Sequence, residues 1–440
     1  MVSLMPASPS MKGVSEFFLG KLPTEQRQQL DAGRFLRVGT ACSGTDSPVA
    51  VFRGLAKAMP RLKVEHTFSC ESDVKKRQWI TDNFPDLPYL FGDIQELPTG
   101  TAFNYITGKA AQVPPVDIFI AGFVCKSVSL ENNERKKYAN CIIEACGLTG
   151  ITFQGMIQYV QQFQPAVVIC ENVEGLVKKN RGLEPVVNHV KDKFASSGYA
   201  FHHKVLGSRD FLLPHRRKRC WMWAFRGLAH AGAAALAGEA VLALRQKRHW
   251  EMNALFRSVK ASDVDMRRPL NERERSVVQK VLSKLSPRER GEEVVVDVGK
   301  SLERAVHCVG AAPRVVPNSR PYRVKKDKLL SPEQVHAVQG IFKEDFPALA
   351  RWGKEKKILT RDLAGNSFST TVCMAVAIAV LCHGPLLGTD ALKRIQAVTE
   401  EHLEGAAAPA TPPARASRAP VATTPRRGPL AKRLRVNSSD

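Results

Sequence analysis

Two short segments carry residue types that can make and break covalent bonds. The first, Asp117-Ile118-Phe119-Ile120-Ala121-Gly122-Phe123-Val124-Cys125-Lys126-Ser127, puts a cysteine just past an apolar run. The second, Ala166-Val167-Val168-Ile169-Cys170-Glu171-Asn172-Val173-Glu174-Gly175, puts a glutamate and an asparagine just past another. A cysteine attacks as its thiolate, so it needs a lowered pKa or a base beside it. A glutamate in a dry pocket can hold or give a proton near neutral pH. A third segment, Pro214-His215-Arg216-Arg217-Lys218-Arg219, sets guanidinium groups directly before a further apolar run. Taken singly, Cys125 also reads as a buried structural thiol and Glu171 as a capped or ion-paired carboxylate.

Three more segments have the composition of a nucleotide-type ligand site. Val38-Gly39-Thr40-Ala41-Cys42-Ser43-Gly44-Thr45-Asp46-Ser47 is a turn of small residues after an apolar run. Such a turn lets backbone amides approach a ligand closely, and the helix that follows adds its dipole; an ordinary tight strand-to-helix turn has the same look. In Cys70-Glu71-Ser72-Asp73, Glu71 stands where Rossmann-like sheets bind a ribose hydroxyl pair, or serves as a solvated carboxylate or helix cap. Gly92-Asp93-Ile94 offers an acceptor for an adenine amino group.

The elements that would position these groups are legible as a pattern. Short apolar runs at 35–38, 64–70, 116–121, 166–170 and 219–225 alternate with helix-sized intervals. This predicts an α/β fold with a doubly wound, mostly parallel sheet. Ligands in such sheets sit at the carboxyl ends of the strands, so the thiol and the carboxyl would open on one edge. The expected organisation is an N-terminal extension over 1–33 with a short polar helix near 24–31, then a cofactor-binding and catalytic domain over 34–226. A smaller inserted domain follows over 227–328, with a weak strand at 293–298. A segment over 329–386 returns to the first domain and closes with the apolar stretch 370–382, and residues 387–440 form a helix and a disordered basic tail.

In this order the segments resemble the motifs of the DNA cytosine-5 methyltransferase family, over roughly 35–385. The turn at 40–45 looks like the family's Phe-x-Gly-x-Gly cofactor loop, and Cys125 falls where its Pro-Cys-Gln nucleophile lies. Glu171-Asn172-Val173 reproduces Glu-Asn-Val, and Arg217 and Arg219 match Gln-x-Arg-x-Arg. Leu330-Ser331-Pro332-Glu333 with Val338-Gln339-Gly340 resembles the segment that supports target recognition, and Gly365-Asn366-Ser367 matches the closing Gly-Asn motif. The resemblance implies a Rossmann-like methyltransferase sheet with an inserted target-recognition domain. It implies S-adenosyl-L-methionine as cofactor, bound by Thr40, Ala41, Cys42, Ser43, Gly44, Thr45, Glu71, Ser72, Asp93, Ile94, Gly122, Asn366 and Ser367. It further implies a cytosine flipped from double-stranded DNA, since its reacting atoms are enclosed in the duplex. Cys125 would add to the ring and Glu171 would protonate it. Asn172 would orient the loop, Arg217 would contact the base carbonyl or Glu171, and Arg219 would organise the pocket. Transfer RNA as substrate, and a non-catalytic DNA-binding relative, are the alternatives. The chain departs from the pattern at Thr40, Cys42, Val124, Lys126 and His215; loss of the proline before the nucleophile is expected to loosen its loop.

Composition agrees with a polyanionic partner. The 440 residues hold 65 Lys and Arg against 42 Asp and Glu, a net charge of +23, which favours nucleic acid first and an anionic membrane surface second. Residues 241–290 alone hold 13 basic against 6 acidic side chains. Arg245, Lys247, Arg248, Arg267 and Arg268 are the expected phosphate contacts, unless that run is simply a solvated helix face. The 10 cysteines include no Cys-x-x-Cys pair, so no metal site is expected and the thiols read as free. No uninterrupted apolar run approaches the ~20 residues that cross a bilayer, and the start lacks a secretory pattern, so no membrane partner is expected. Pro425-Arg426-Arg427 and Lys432-Arg433-Leu434-Arg435 suggest nuclear import or extra nucleic-acid contact, unless the tail is merely solubilising.

Overall fold

Side chains along a strand alternate between faces, so a strand covered on both sides must be apolar throughout. Ile118 and Ile120 enter one core while Phe119 and Ala121 enter another, and Val167 and Ile169 divide from Val168 and Cys170 in the same way. The computed structural model describes residues 5–6, 8–179, 184–259 and 268–387. Its main sheet has seven strands: β1 (Arg34–Ala41), β2 (Leu62–Cys70), β3 (Tyr89–Phe91), β4 (Ile118–Ala121), β5 (Val167–Val173), β6 (Tyr199–Gly207) and β7 (Lys218–Arg226). Their order is β3-β2-β1-β4-β5-β7-β6. Only β7 runs against its neighbours; the other pairings are parallel. This is the mostly parallel α/β sheet the pattern predicts.

Helices Met11–Leu19, Ser47–Ala58, Ala231–Ala243 and Thr370–His383 contribute to the core on one face. Gly147–Phe163 and Val186–Ser196 contribute to the core on the other. Helical stretch Lys357–His383 is long and apolar enough to cross a membrane by composition, but 94% of its apolar window is buried inside the protein. A second sheet of order β9-β8-β10-β11 is antiparallel: β8 (Val294–Asp297), β9 (His307–Val309), β10 (Pro321–Arg323) and β11 (Lys328–Leu329). Its core of Val294, Val296 and Tyr322 packs with Val277, Val278 and Val281 of helix Glu272–Ser283. A capping box between Asn271 and Glu274 starts that helix.

The structure corrects two expected boundaries. The stretch 1–33 is more than an extension, because Met11, Val14 and Phe18 are buried in the main core. The short helix Thr24–Leu30 falls where expected. The stretch 227–328 is not one unit either. Ala234, Ala237, Val241, Trp250 and Leu255 all join the main core, since an Ala-rich helix can lie close against β6 and helix Thr370–His383. The smaller sheet and its helix account for the later part of that range.

Candidate active site

Strand register sets the site before any side chain does. Ala41 pairs with Cys70 and with Ala121, and Ala121 pairs with Cys170. These four residues form one row across β2, β1, β4 and β5. The next residue on each strand, Glu71, Cys42, Gly122 and Glu171, therefore begins the carboxyl edge together. On β7, Arg219 pairs with Val173, two residues from Glu171, so Arg219 and Glu171 are diagonal neighbours on one face.

Glu171 is buried, with Arg219 Nε at 3.0 Å and an Arg217 terminal nitrogen at 3.9 Å from its Oε1. Arg219 lies off the hydrogen-bond axis, and Oε1 has no directed donor among the described residues. Arg217 lies beside Glu171, one of its two expected contacts, while its directed hydrogen bonds go elsewhere. Its donors go to the carbonyls of Val315 (2.8 Å), Gly365 (3.2 Å) and Ser367 (2.9 Å). It is a staple joining β7 to the segment after the small sheet and to the closing Gly-Asn motif, while Arg219 is the cation closer to the carboxylate. Burial, and then Arg219, pull the Arg217 guanidinium down to about 9. His215, in the glutamine position, is buried, and its Nε2 accepts the Val315 N–H at 3.1 Å. Burial holds its imidazole well below the usual range, so it serves as a neutral acceptor.

Cys125 is partly exposed in the loop after β4. Burial pushes its thiol up; Arg219 opposes this, Glu171 adds to it, and Arg217 opposes it. These influences place the thiol within electrostatic reach of the Glu171 pocket. Lys126 points to solvent, so the cations acting on the thiol are the arginines of β7 and its approach. Asn172 donates its side-chain amide to the Phe123 carbonyl at 2.9 Å, tying β5 to the cysteine loop. The loop is also anchored where the family has proline. The Val124 N–H donates to Thr152 Oγ1 at 3.1 Å, a bond proline cannot make, and the Ser127 N–H donates to Thr149 Oγ1 at 3.1 Å. Two hydrogen bonds to helix Gly147–Phe163 thus hold the loop where the family has the proline ring. Glu131, on the same loop, pairs with Lys300 at 3.7 Å and with Arg314. A cavity of about 340 Å³ opens between the loop and the small sheet, lined among others by Ser129, Glu174, Arg216, Arg219, His307 and Arg314.

At the turn after β1, Cys42 has φ 51° and Gly44 φ 61°. Both lie in the left-handed region that favours glycine, and a glycine is what the family has at each. A Cβ on Gly44 would sit 2.9 Å from the Asn366 carbonyl oxygen, so the closing motif abuts the turn. A Cβ on Gly122 would strike the Phe368 ring at 2.6 Å. Glu71 is buried, accepting the Gly44 N–H at 2.9 Å and the Asp73 N–H at 3.1 Å, with Lys76 at 3.5 Å. Burial pushes the Cys42 thiol up to about 12; Glu71 adds to that rise, Lys76 opposes it and Asp93 adds to it. Asp93, Ser72 and Asn366 are exposed, and Ser367 is buried with its hydroxyl on the Ala364 carbonyl at 2.7 Å. Ile94 has its side chain buried in the core that holds Phe68, Phe91 and Phe153, so a ligand would meet its backbone.

Beneath the turn lies a network that the sequence did not reveal. Thr40 Oγ1 donates to Asp46 at 2.7 Å, Ser43 Oγ donates to Thr40 at 2.8 Å, and Ser69 Oγ donates to Asp46. His66 Nε2 lies 3.3 Å from Asp46, which is fully buried at φ 58°. Thr40 therefore braces the turn from below, where the family's phenylalanine would present a ring. The only signal in the sequence was an aspartate inside a small-residue turn.

Among the expected phosphate contacts, Arg245, Lys247 and Arg248 are exposed beside residues 210–212, to which Gln246 and Trp250 donate backbone hydrogen bonds. Arg268 is already paired with Glu274 at 2.7 Å. Arg267 lies outside the described residues, as do the basic clusters at 425–427 and 432–435. No group of three or more His, Cys, Asp or Glu among the described residues could hold a metal.

A parallel sheet with one reversed strand next to its edge, carrying a small-residue turn after β1 and an acidic residue after β2, defines a Rossmann-like methyltransferase fold. The family model of the C-5 cytosine-specific DNA methylases matches residues 49–381, and the chain belongs to that family. It is 35% identical over 228 residues to the DNA (cytosine-5-)-methyltransferase DMT5 of Cryptococcus neoformans var. grubii, covering 50% of this chain and 9% of that protein. It is 27% identical over 173 residues to the type II methyltransferase M.HhaI of Haemophilus parahaemolyticus, covering 39% of this chain and 46% of the relative. The chain thus spans less than half the length of these relatives. A solved DNMT2 variant from Spodoptera frugiperda aligns over 78% of this chain and 99% of its own, with 13% identity and a TM-score of 0.48.

Proposed function

We propose that the chain methylates carbon 5 of a cytosine flipped out of double-stranded DNA, with S-adenosyl-L-methionine as cofactor and Cys125 as nucleophile. One observation carries this reading. A buried glutamate oxygen without a directed donor sits with two guanidinium groups within electrostatic reach of a partly exposed thiol. Carbon 5 of cytosine is a poor nucleophile until a thiolate has added at carbon 6. Cys125 forms that S–C bond, and the ring's electron pair moves towards carbon 5 and nitrogen 3. Glu171 supplies the proton to nitrogen 3 and accepts from the exocyclic amine, using the acceptor left free on Oε1. Arg219 keeps positive potential on both the thiolate and the carboxylate. Loss of the carbon 5 proton after methylation returns the electron pair and expels the Cys125 thiolate.

The turn after β1 suits the cofactor. Glu71 and Asp93 act on it as carboxylates and Lys76, paired with Glu71, opposes them, so acceptors for hydroxyl and amino groups are at hand. Glu71 would hold the ribose hydroxyls, Asp93 the adenine amine, and the 40–45 backbone the remainder, with Asn366 closing against Gly44. When bound, S-adenosyl-L-methionine supplies its methyl from a positively charged sulfur. The basic tail clusters support a nuclear location. Transfer of labelled methyl to duplex DNA but not to transfer RNA is the expected result; transfer to RNA alone would overturn the substrate.

A further inference from the structure

Away from the cysteine pocket, a cavity of about 620 Å³ lies between the small sheet and helix Lys357–Gly365. Five of its lining side chains are cations, Arg268, Arg273, Arg320, Lys357 and Arg361, against one lining carboxylate, Asp362. Arg268 and Arg320 both reach the buried Glu274 at 2.7 Å, which offsets one of the two charges. Asp362 is already accepting the Asn318 N–H at 2.8 Å. Arg273 makes only long contacts, 3.3 Å, to the carbonyls of Val298 and Lys300. Among the described residues, neither Lys357 nor Arg361 has an ion pair or a donated hydrogen bond, and Arg361 is half-buried with the charge of Asp362 acting on it first and the like charge of Arg268 second. Like charges converging on an open cavity oppose folding unless an anion joins them.

We propose that this cavity is a phosphate-binding site, separate from the base pocket, that takes a phosphoryl group of either a DNA backbone or a free polyphosphate. Guanidinium groups match tetrahedral oxyanions through paired N–H donors, and the volume accommodates more than one phosphoryl group. The placement favours communication with the reaction. Lys300, next to the lining residue Gly299, reaches Glu131 on the cysteine loop. Helix Lys357–Gly365 leads directly into Asn366, whose carbonyl packs on Gly44.

The test compares the full chain with the Lys357→Ala/Arg361→Ala double variant. It leaves Arg268 and Arg320 to neutralise Glu274, and thermal unfolding with cofactor binding confirms an intact fold. Duplex binding is measured from low to moderate salt, and tripolyphosphate binding by calorimetry. A DNA source predicts that the variant's log–log salt slope falls by about 1–2, from roughly 0.9 per phosphate lost. A free-anion source predicts that tripolyphosphate binds the wild type and is weakened at least tenfold in the variant, with the duplex slope unchanged. A folded variant that matches the wild type in both measurements overturns the proposal. The DNA arm rests on the duplex substrate proposed above, but the tripolyphosphate arm does not. A failed substrate reading is separated from a failed site because it would remove methyl transfer in the wild type itself.

Discussion

Cys125 is reactive only as a thiolate, and its surroundings pull in opposite directions. Burial raises its pKa above the ordinary cysteine value, while Arg219 gives the largest opposing influence. In the free protein the thiolate therefore forms only as pH rises past that ordinary value. Alkylation of Cys125 by iodoacetamide, followed on its peptide by mass spectrometry, should keep accelerating above the pH where an exposed cysteine levels off. Arg219→Gln removes the lowering influence, so its alkylation midpoint should move further up. A midpoint at or below the ordinary value, or one that falls in the variant, contradicts this balance. Residue types and spacing disclosed Cys125, Glu171, Asn172 and Arg219, because each follows an apolar run or precedes one. They did not disclose that Arg217 is committed to three backbone carbonyls, since Val315, Gly365 and Ser367 lie far from it in sequence.

At the scale of elements, two neighbouring residues in the turn after β1 share positive φ but face different surroundings. Cys42 carries a side chain where the backbone favours none, at a cost of about 1 kcal/mol. Cys42→Gly should leave the thermal unfolding midpoint unchanged or raise it. Gly44→Ala puts a Cβ 2.9 Å from the Asn366 carbonyl, so it should lower stability by more than about 1 kcal/mol and weaken cofactor binding. Equal stability in the two variants would mean that the turn does not depend on that contact. The five central and near-central strands were legible as apolar runs because both faces are covered. β6 was not, for it is an edge strand whose His202, His203 and Lys204 are only partly buried. Helix Met11–Leu19 escaped notice because nine residues give too short a periodicity; its place in the core is set by packing on helices Ser47–Ala58 and Thr370–His383. The Asp46 network was invisible for a related reason: it depends on the pairing of β1 with β2, whose register shifts between Val38 and Gly39, and which brings His66 and Ser69 under the turn.

Across the whole molecule, 65 basic residues stand against 42 acidic ones, a surplus that a duplex partner would meet through phosphate contacts, which give affinity without reading sequence. Arg245 and Lys247 are exposed and make no ion pair among the described residues, so Arg245→Ala/Lys247→Ala should weaken duplex binding similarly across sequences. The salt slope should fall by about 1–2, whereas an unchanged slope would assign these residues to the solvated face of the protein. The central claim is a covalent one and is read most directly on the intact chain. Duplex DNA carrying 5-fluorocytosine is incubated with S-adenosyl-L-methionine and the product is resolved under denaturing conditions. The fluorine blocks the final loss from carbon 5, so the wild type should remain joined to DNA through Cys125, and Cys125→Ser should show no such species. A wild-type protein that binds the duplex and the cofactor yet forms no adduct, or an adduct that survives in Cys125→Ser, would contradict the account.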